Sequence, residues 1–133
     1  MNTAPARLPA GRFSIPFTNL KNSVLGLDFE LSLVFVDNIF SKRLNRTYRG
    51  KNKSADVLSF PLSKKSGEIF IDLITAKKEM GKFQMPYRKF VIFLFIHGLL
   101  HLKGMKHGTT MERREKKLLN DASNYSRYRH RDL

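Results

Sequence analysis

Residues 86–107 read PYRKFVIFLFIHGLLHLKGMKH, and this stretch decides how the chain folds. Nearly every position of 90–96 is apolar, so a helix formed here is apolar almost all round and belongs at the centre of the protein. Pro86 suits the first position of such a helix. Gly104 suits its carboxyl-terminal cap, because glycine adopts the left-handed conformation without strain. We predict a buried central helix from Pro86 to about Lys103.

The same stretch carries three of the chain's four histidines, His97, His101 and His107. The first two are one helical turn apart and share a face, separated by roughly 6 Å along the axis. Burying two imidazoles costs free energy unless both find partners, and one metal ion satisfies both. Three nitrogen ligands with one open position are typical of a catalytic zinc site. We predict one zinc ion per chain; the alternative is core histidines bonded to backbone carbonyls.

Length and composition favour a single domain over residues 1–133, with a flexible lead-in at 1–12 and a basic tail at 126–133. The hydrophobic fraction of 41% is enough for a core, and the absence of cysteine excludes disulfides and thiolate metal sites. Neither a signal peptide nor a membrane span is indicated, so we expect a cytoplasmic protein that binds no membrane.

The charge of the chain indicates a polyanionic partner. Lysine and arginine number 25 against 11 acidic residues, which gives a net charge of +14. Such an excess on a small domain favours nucleic acid. An anionic membrane surface and a simple solubility role are the alternatives.

The remaining sequence predicts strands first and helices later, which indicates an α+β fold with a small mixed β-sheet packed against helices. Strands are expected at 31–36, 55–60 and 68–71, the second ended by Pro61. Helices are expected at 18–25, at 38–44 after a cap at Asp37, at 73–80 between a cap at Asp72 and a break at Gly81, and at 110–125. A basic loop is expected at 46–53.

Two stretches resemble the signatures of the YbeY family. Residues 97–107, HGLLHLKGMKH, resemble HGxLHLxGYDH, and residues 44–61, LNRTYRGKNKSADVLSFP, resemble LNxxYRGKxxxTDVLSFP. Residues 67–69 stand where the family usually has GDI. The resemblance covers roughly residues 30–120 and implies a mixed sheet packed by helices around the metal, as in metalloproteases.

The resemblance also implies an activity. Members are bacterial zinc-dependent endoribonucleases that cleave single-stranded RNA in 16S rRNA 3′-end processing, ribosome maturation and quality control. The implied partners are the small ribosomal subunit and its assembly proteins. The motif histidines His97, His101 and His107 would bind zinc, Arg49 would take part in cleavage, and the region of Ser59 would line the cleft.

The chain departs from the signatures at several positions. Met105 and Lys106 replace a tyrosine and an aspartate before the third histidine, Ala55 replaces a threonine, and Glu68 replaces an aspartate. The lost carboxylate could have oriented a ligand or positioned water. A lysine at this place would either repel the metal or grip a phosphate.

Basic and aromatic residues near the second signature are candidates for holding RNA. Our RNA-binding candidates are Arg46, Tyr48, Arg49, Lys51, Lys53, Ser59 and Lys106. Our catalytic candidates are Arg49, His97 and His101, with Arg49 stabilising charge on the scissile phosphate. The alternatives are a solvated loop, an ion pair between Arg49 and Asp56, and core packing of Tyr48. Glu112 and Glu115 are interpreted as part of a solvated helix face.

These observations predict a metal-dependent hydrolase of RNA phosphodiesters, in which zinc lowers the pKa of water to roughly 7. A second hypothesis is a non-catalytic small-subunit assembly factor that keeps the metal for stability. A third, a metallopeptidase, is disfavoured because Gly98 occupies the place of the glutamate in HExxH. Gly98 would instead allow close approach of a neighbouring backbone or substrate. No DNA substrate is expected.

Overall fold

The structure is a computed structural model that describes the backbone of residues 15–132 and the side chains of 15–122. The lead-in expected at 1–12 lies outside the described residues, as do the side chains of the expected basic tail at 126–133.

A three-stranded mixed sheet forms the middle layer, as predicted. Its strands are β1 (Glu30–Val36), β2 (Val57–Ser63) and β3 (Ser66–Asp72), arranged in the order β1-β3-β2. β3 pairs in parallel with β1 and antiparallel with β2, with which it forms a hairpin. The strand that precedes the helical half of the chain therefore lies at the centre of the sheet.

Five α-helices surround the sheet. They are α1 (Phe17–Leu25), α2 (Asn38–Arg49), α3 (Leu73–Glu79), α4 (Tyr87–Leu102) and α5 (Thr109–Asp132), with a 3₁₀ turn at Met80–Phe83 after α3. The α+β class is therefore confirmed. No helix among the described residues has the length and apolar character needed to cross a bilayer.

The helix α4 is the buried core helix that the sequence predicts. Phe90, Ile96 and Leu99 have no exposed surface, and they pack with Ile69 and Ile71 of β3. Because side chains alternate along a strand, the next residues of β3 face the other way. There the ring of Phe70 lies 6.1 Å from that of Phe40 on α2. The sheet is thus covered by α4 on one face and partly by α2 on the other.

A Schellman turn ends α4 at the predicted glycine. Gly104 has φ 98°, its N–H donates to the carbonyl of His101, and the Met105 N–H donates to that of Leu100. Pro86 is the N-cap rather than the first helical residue, so α4 begins one residue later than predicted, at Tyr87. The turn reverses the chain immediately before His107.

The buried carboxylate of Asp72 joins the end of β3 to two helices. It caps α3 through the Thr75 N–H at 2.9 Å, as predicted, and accepts from Ser41 Oγ of α2 at 2.7 Å. The hydroxyl of Thr75 lies 2.6 Å from the same carboxylate and 3.0 Å from Ser54 Oγ. These contacts fix the segment before β2 relative to α2 and α3. Asp37 likewise caps α2 by accepting from the Phe40 N–H.

The predicted loop at 46–53 was wrong in its first half. Helix α2 continues to Arg49 and ends at Gly50, whose φ of 68° is left-handed and whose N–H donates to Arg46. The predicted strand end at Pro61 was also wrong, because β2 continues to Ser63. β2 lies at a sheet edge and its pairing with β3 is irregular between Pro61 and Ser63, and proline is tolerated in strands at such places. Helix α3 ends at Glu79, one residue before the predicted end, and a 3₁₀ turn then continues through Gly81 to Phe83.

Candidate metal centre

Helix α4 positions His97 and His101 side by side. The sequence places them one turn apart, and their Nε2 atoms lie 3.0 Å from each other with ring centroids separated by 4.5 Å. Both side chains are partly buried. The two rings therefore present nitrogen atoms to the same point beside the helix.

His107 reaches the same point from the turn after α4. Its ring centroid lies 4.7 Å from that of His101 and 5.1 Å from that of His97. One nitrogen from each ring lies within 4.8 Å of the others. Nitrogen ligands at about 2.0–2.1 Å from a tetrahedral zinc are roughly 3.4 Å apart. The three histidines therefore fit a single divalent ion and could hold one.

Glu115 lies behind His97 and was wrongly interpreted as part of a solvated face. Its side chain, on α5, is 7% exposed, and Oε2 lies 2.5 Å from His97 Nδ1. A signal for its burial was present in the sequence. Met111, Leu118 and Ala122 form an apolar stripe at helical spacing, and position 115 falls on that stripe.

The environment of His101 favours its uncharged ring. Burial lowers the pKa of this imidazole, and the nearby His97, His107 and Arg49 lower it further. An uncharged imidazole has a free lone pair for a metal. The physical setting of the ring thus suits the role of ligand.

A cavity of about 510 Å³ opens over the three histidines. Of the RNA-binding candidates, Arg49, Lys51, Lys53 and Ser59 line it. Arg46, Tyr48 and Lys106 do not line it; all three are exposed, Tyr48 by 66%. Four of the seven predicted RNA-binding residues therefore lie in the cavity wall, and the other three lie on the exposed surface.

Carboxylates that sequence reasoning did not select also line the cavity, among them Asp56 and Glu79. Burial raises the pKa of Asp56, and Glu79 raises it further, although a hydrogen bond from the main chain of Val57 opposes them. No ion pair joins Arg49 to Asp56 within residues 15–122. The alternative that these two side chains neutralise each other is therefore wrong.

The close approach expected at Gly98 occurs between α4 and the sheet. Ser59 Oγ of β2 donates to the Gly98 carbonyl at 3.2 Å. A Cβ at position 98 would lie 3.0 Å from both Ser59 Oγ and Ile69 Cδ1. A side chain at position 98 would press on both neighbours, so glycine allows the close contact between β2 and α4 at the edge of the cavity.

Fold and site together define an α+β protein whose central helix carries two members of a three-histidine group, beneath a cavity lined with basic side chains. Comparison with known proteins makes this more specific. The family model described as Endoribonuclease YbeY matches residues 14–124. The chain belongs to the YbeY family.

Individual relatives agree with that assignment. The protein named Endoribonuclease YbeY from Persephonella marina is 42% identical over 95 residues, which cover 65% of this chain and 60% of the relative. The protein of the same name from Desulforamulus reducens is 33% identical over 112 residues, which cover 75% of this chain and 73% of the relative. The solution structure of TM1509 from Thermotoga maritima superposes with a TM-score of 0.61 at 26% sequence identity. The superposition covers 84% of this chain and 79% of TM1509. The matched region thus spans about 60% of the length of the Persephonella relative.

Proposed function

We propose that this chain is a zinc-dependent endoribonuclease that cleaves single-stranded RNA, acting in 16S rRNA 3′-end processing, ribosome maturation and quality control. One observation carries the proposal. Three histidine nitrogens converge at the base of a cavity that Arg49, Lys51 and Lys53 also line. A cation site and fixed positive charges in one cavity suit a phosphodiester, which is anionic before and during hydrolysis.

The donor set supports zinc as the cofactor. His97, His101 and His107 offer three imidazoles, and three nitrogen ligands leave a coordination position for solvent or substrate. A zinc ion held there would supply a Lewis acid and make water nucleophilic at neutral pH.

Arg49 is the proposed partner of the scissile phosphate. It is the last residue of α2, its side chain lines the cavity, and its charge lowers the pKa of His101. Within residues 15–122 it forms no ion pair, so its guanidinium is available for an anion. A planar fork of N–H donors binds two phosphate oxygens and stabilises charge that develops on them.

The other RNA-binding candidates are proposed to hold the RNA on either side of the scissile phosphate. Lys51 and Lys53 lie in the cavity wall and neutralise adjacent phosphates. Outside the cavity, Arg46 is exposed, and Tyr48 packs only edge-on against Phe60, with ring centroids 5.2 Å apart. A Tyr48 ring that is 66% exposed keeps surface on which an unpaired base can stack.

Ser59 and Lys106 have narrower proposed roles. The Ser59 hydroxyl donates to the Gly98 carbonyl, so it is proposed to shape the cavity wall. Its oxygen is also proposed to accept a hydrogen bond from the bound RNA. Lys106 is exposed and lies outside the cavity lining, where its charge would meet an RNA backbone rather than the ion. Cytoplasmic location and partners, the small subunit and its assembly proteins, are proposed from the family and from the net charge of +14.

Cleavage of a labelled single-stranded RNA by zinc-reconstituted protein tests the proposal. His101→Ala removes a central ligand and should abolish cleavage, whereas Lys103→Ala, at an exposed position just after the same helix, should cleave like wild type. Full cleavage by the His101 variant contradicts the mechanism. Wild-type protein that binds small subunits but never cuts RNA would instead establish the assembly-factor hypothesis.

A further inference from the structure

Glu115 stands out among the acidic residues of α5 because its carboxylate is buried. Glu112 and Asp121 on the same helix are exposed, whereas Glu115 is 7% exposed. No lysine or arginine among the described residues forms an ion pair with the Glu115 carboxylate, which contacts His97 Nδ1 instead. Withdrawing a carboxylate from water costs free energy, so this contact must compensate for it.

We propose that Glu115 is a positioning residue for the metal ion. Its carboxylate accepts the hydrogen of His97 Nδ1 and so keeps the Nε2 lone pair of that ring directed at the ion. The inference rests on the metal centre proposed above, but not on RNA cleavage.

The chemistry of imidazole explains the effect. An uncharged ring carries one N–H, and the nitrogen without it is the metal ligand. His97 Nε2 is the atom that faces His101 Nε2 at 3.0 Å, while Nδ1 faces Glu115. With the hydrogen held on Nδ1, Nε2 is ready to bind. With the carboxylate removed, the hydrogen is free to occupy Nε2, where it would point into the site.

Packing of α5 against the core holds the carboxylate in place. Met111, Leu118 and Ala122 lie on the same face of α5 as Glu115 and are 2%, 6% and 3% exposed. They anchor the helix without help from Glu115. Replacing Glu115 by leucine, which suits that apolar face, therefore removes the partner of His97 while leaving the helix packed.

His97 and His101 have different partners. His97 is the one histidine of the described group with a carboxylate partner. Carboxylates and carbonyls that orient metal-bound histidines typically contribute 10–100-fold to metal affinity. Loss of Glu115 should weaken binding by roughly that factor.

Zinc and cobalt dissociation constants, measured by competition with a chelator, test the inference. Glu115→Leu, whose side chain cannot accept the His97 hydrogen, should raise both constants by about 10–100-fold. Glu115→Gln keeps an acceptor oxygen and should raise them less. Asp121→Asn removes the same charge from an exposed position of the same helix and should leave them unchanged. Thermal unfolding of the metal-free variants separates lost affinity from lost structure. A folded Glu115→Leu variant with wild-type affinity would overturn the inference.

A second measurement needs no variant. Long-range ¹⁵N–¹H correlation spectra of metal-free wild-type protein, recorded at a pH where the ring is uncharged, should show the His97 hydrogen on Nδ1. An uncharged ring with its hydrogen on Nε2 would overturn the inference even if Glu115→Leu did not fold. A wild type that binds neither metal would contradict the proposed metal centre. The tautomer measured in that protein would still decide the role of Glu115 toward His97.

Discussion

Replacing Gly98 with alanine tests how tightly α4 packs against the sheet. The new Cβ would lie 3.0 Å from Ile69 Cδ1 and Ser59 Oγ, and 3.2 Å from Ile69 Cγ2. Ile69 is completely buried, and the Ser59 hydroxyl is held by its bond to the Gly98 carbonyl. Because Ile69 is packed on all sides, it can shift only by disturbing its own neighbours.

Two opposing contributions set the size of the effect. Alanine is favoured over glycine inside a helix by about 0.8–1.0 kcal/mol. Overpacking a close contact typically costs about 1–3 kcal/mol. The clash should win, so Gly98→Ala should lose about 1 kcal/mol of unfolding free energy, a fall in urea midpoint of about 0.3–1 M.

Equilibrium urea unfolding provides the assay, and Gly81→Ala provides the control. A Cβ at Gly81 meets nothing within 4 Å, so that variant should match wild type or exceed it slightly. If Gly98→Ala were as stable as Gly81→Ala, the close contact between β2 and α4 would not exist as described.

Three further predictions concern buried and cavity groups. Asp72→Ala should lower the unfolding free energy by about 2–4 kcal/mol, because it removes a helix cap and the buried carboxylate to which the hydroxyls of Ser41 and Thr75 both donate; urea unfolding measures this. Burial raises the pKa of Asp56, so the folded state binds the proton more tightly than the unfolded state, and stability falls as pH rises from about 3.8 through the folded-state pKa. Asp56→Asn should therefore become progressively more stable than wild type over that window and show no such gain below it, and a constant difference between the two from pH 3 to 7 would contradict the shift. Arg49→Gln should reduce RNA cleavage by about 10²–10³-fold with little loss of RNA binding. Arg46→Gln should mainly weaken RNA binding and lower by about 1 the slope of log binding constant against log salt concentration. Equal effects of the two variants on turnover would contradict their separate roles.

The parts of the structure that depend on short-range pattern were predictable from the sequence. The central helix follows from its continuous apolar residues, and its end follows from Gly104. The approach of His97 to His101 is a property of any helix with that spacing. The position of His107 followed from the expected break at Gly104, and the structure confirms that all three rings meet.

Features created by contacts between distant segments were not predicted. Glu115 joins the centre because α5 packs against α4, and Asp56 enters the cavity because the segment before β2 is fixed through Ser54 and Thr75. The end of α2 was placed too early because its basic residues were taken for a loop, and Gly50 was not recognised as the cap. Strand β2 passes through Pro61 because of its place in the sheet, which no local pattern reports.

The Schellman turn at Gly104 has a consequence for how the three-histidine group comes together. His97 and His101 belong to α4, so their separation is set as soon as that helix forms. His107 lies at an exposed position beyond the turn, so its place beside them depends on the left-handed conformation of Gly104. The third ring is therefore the one whose position is set by backbone outside the helix.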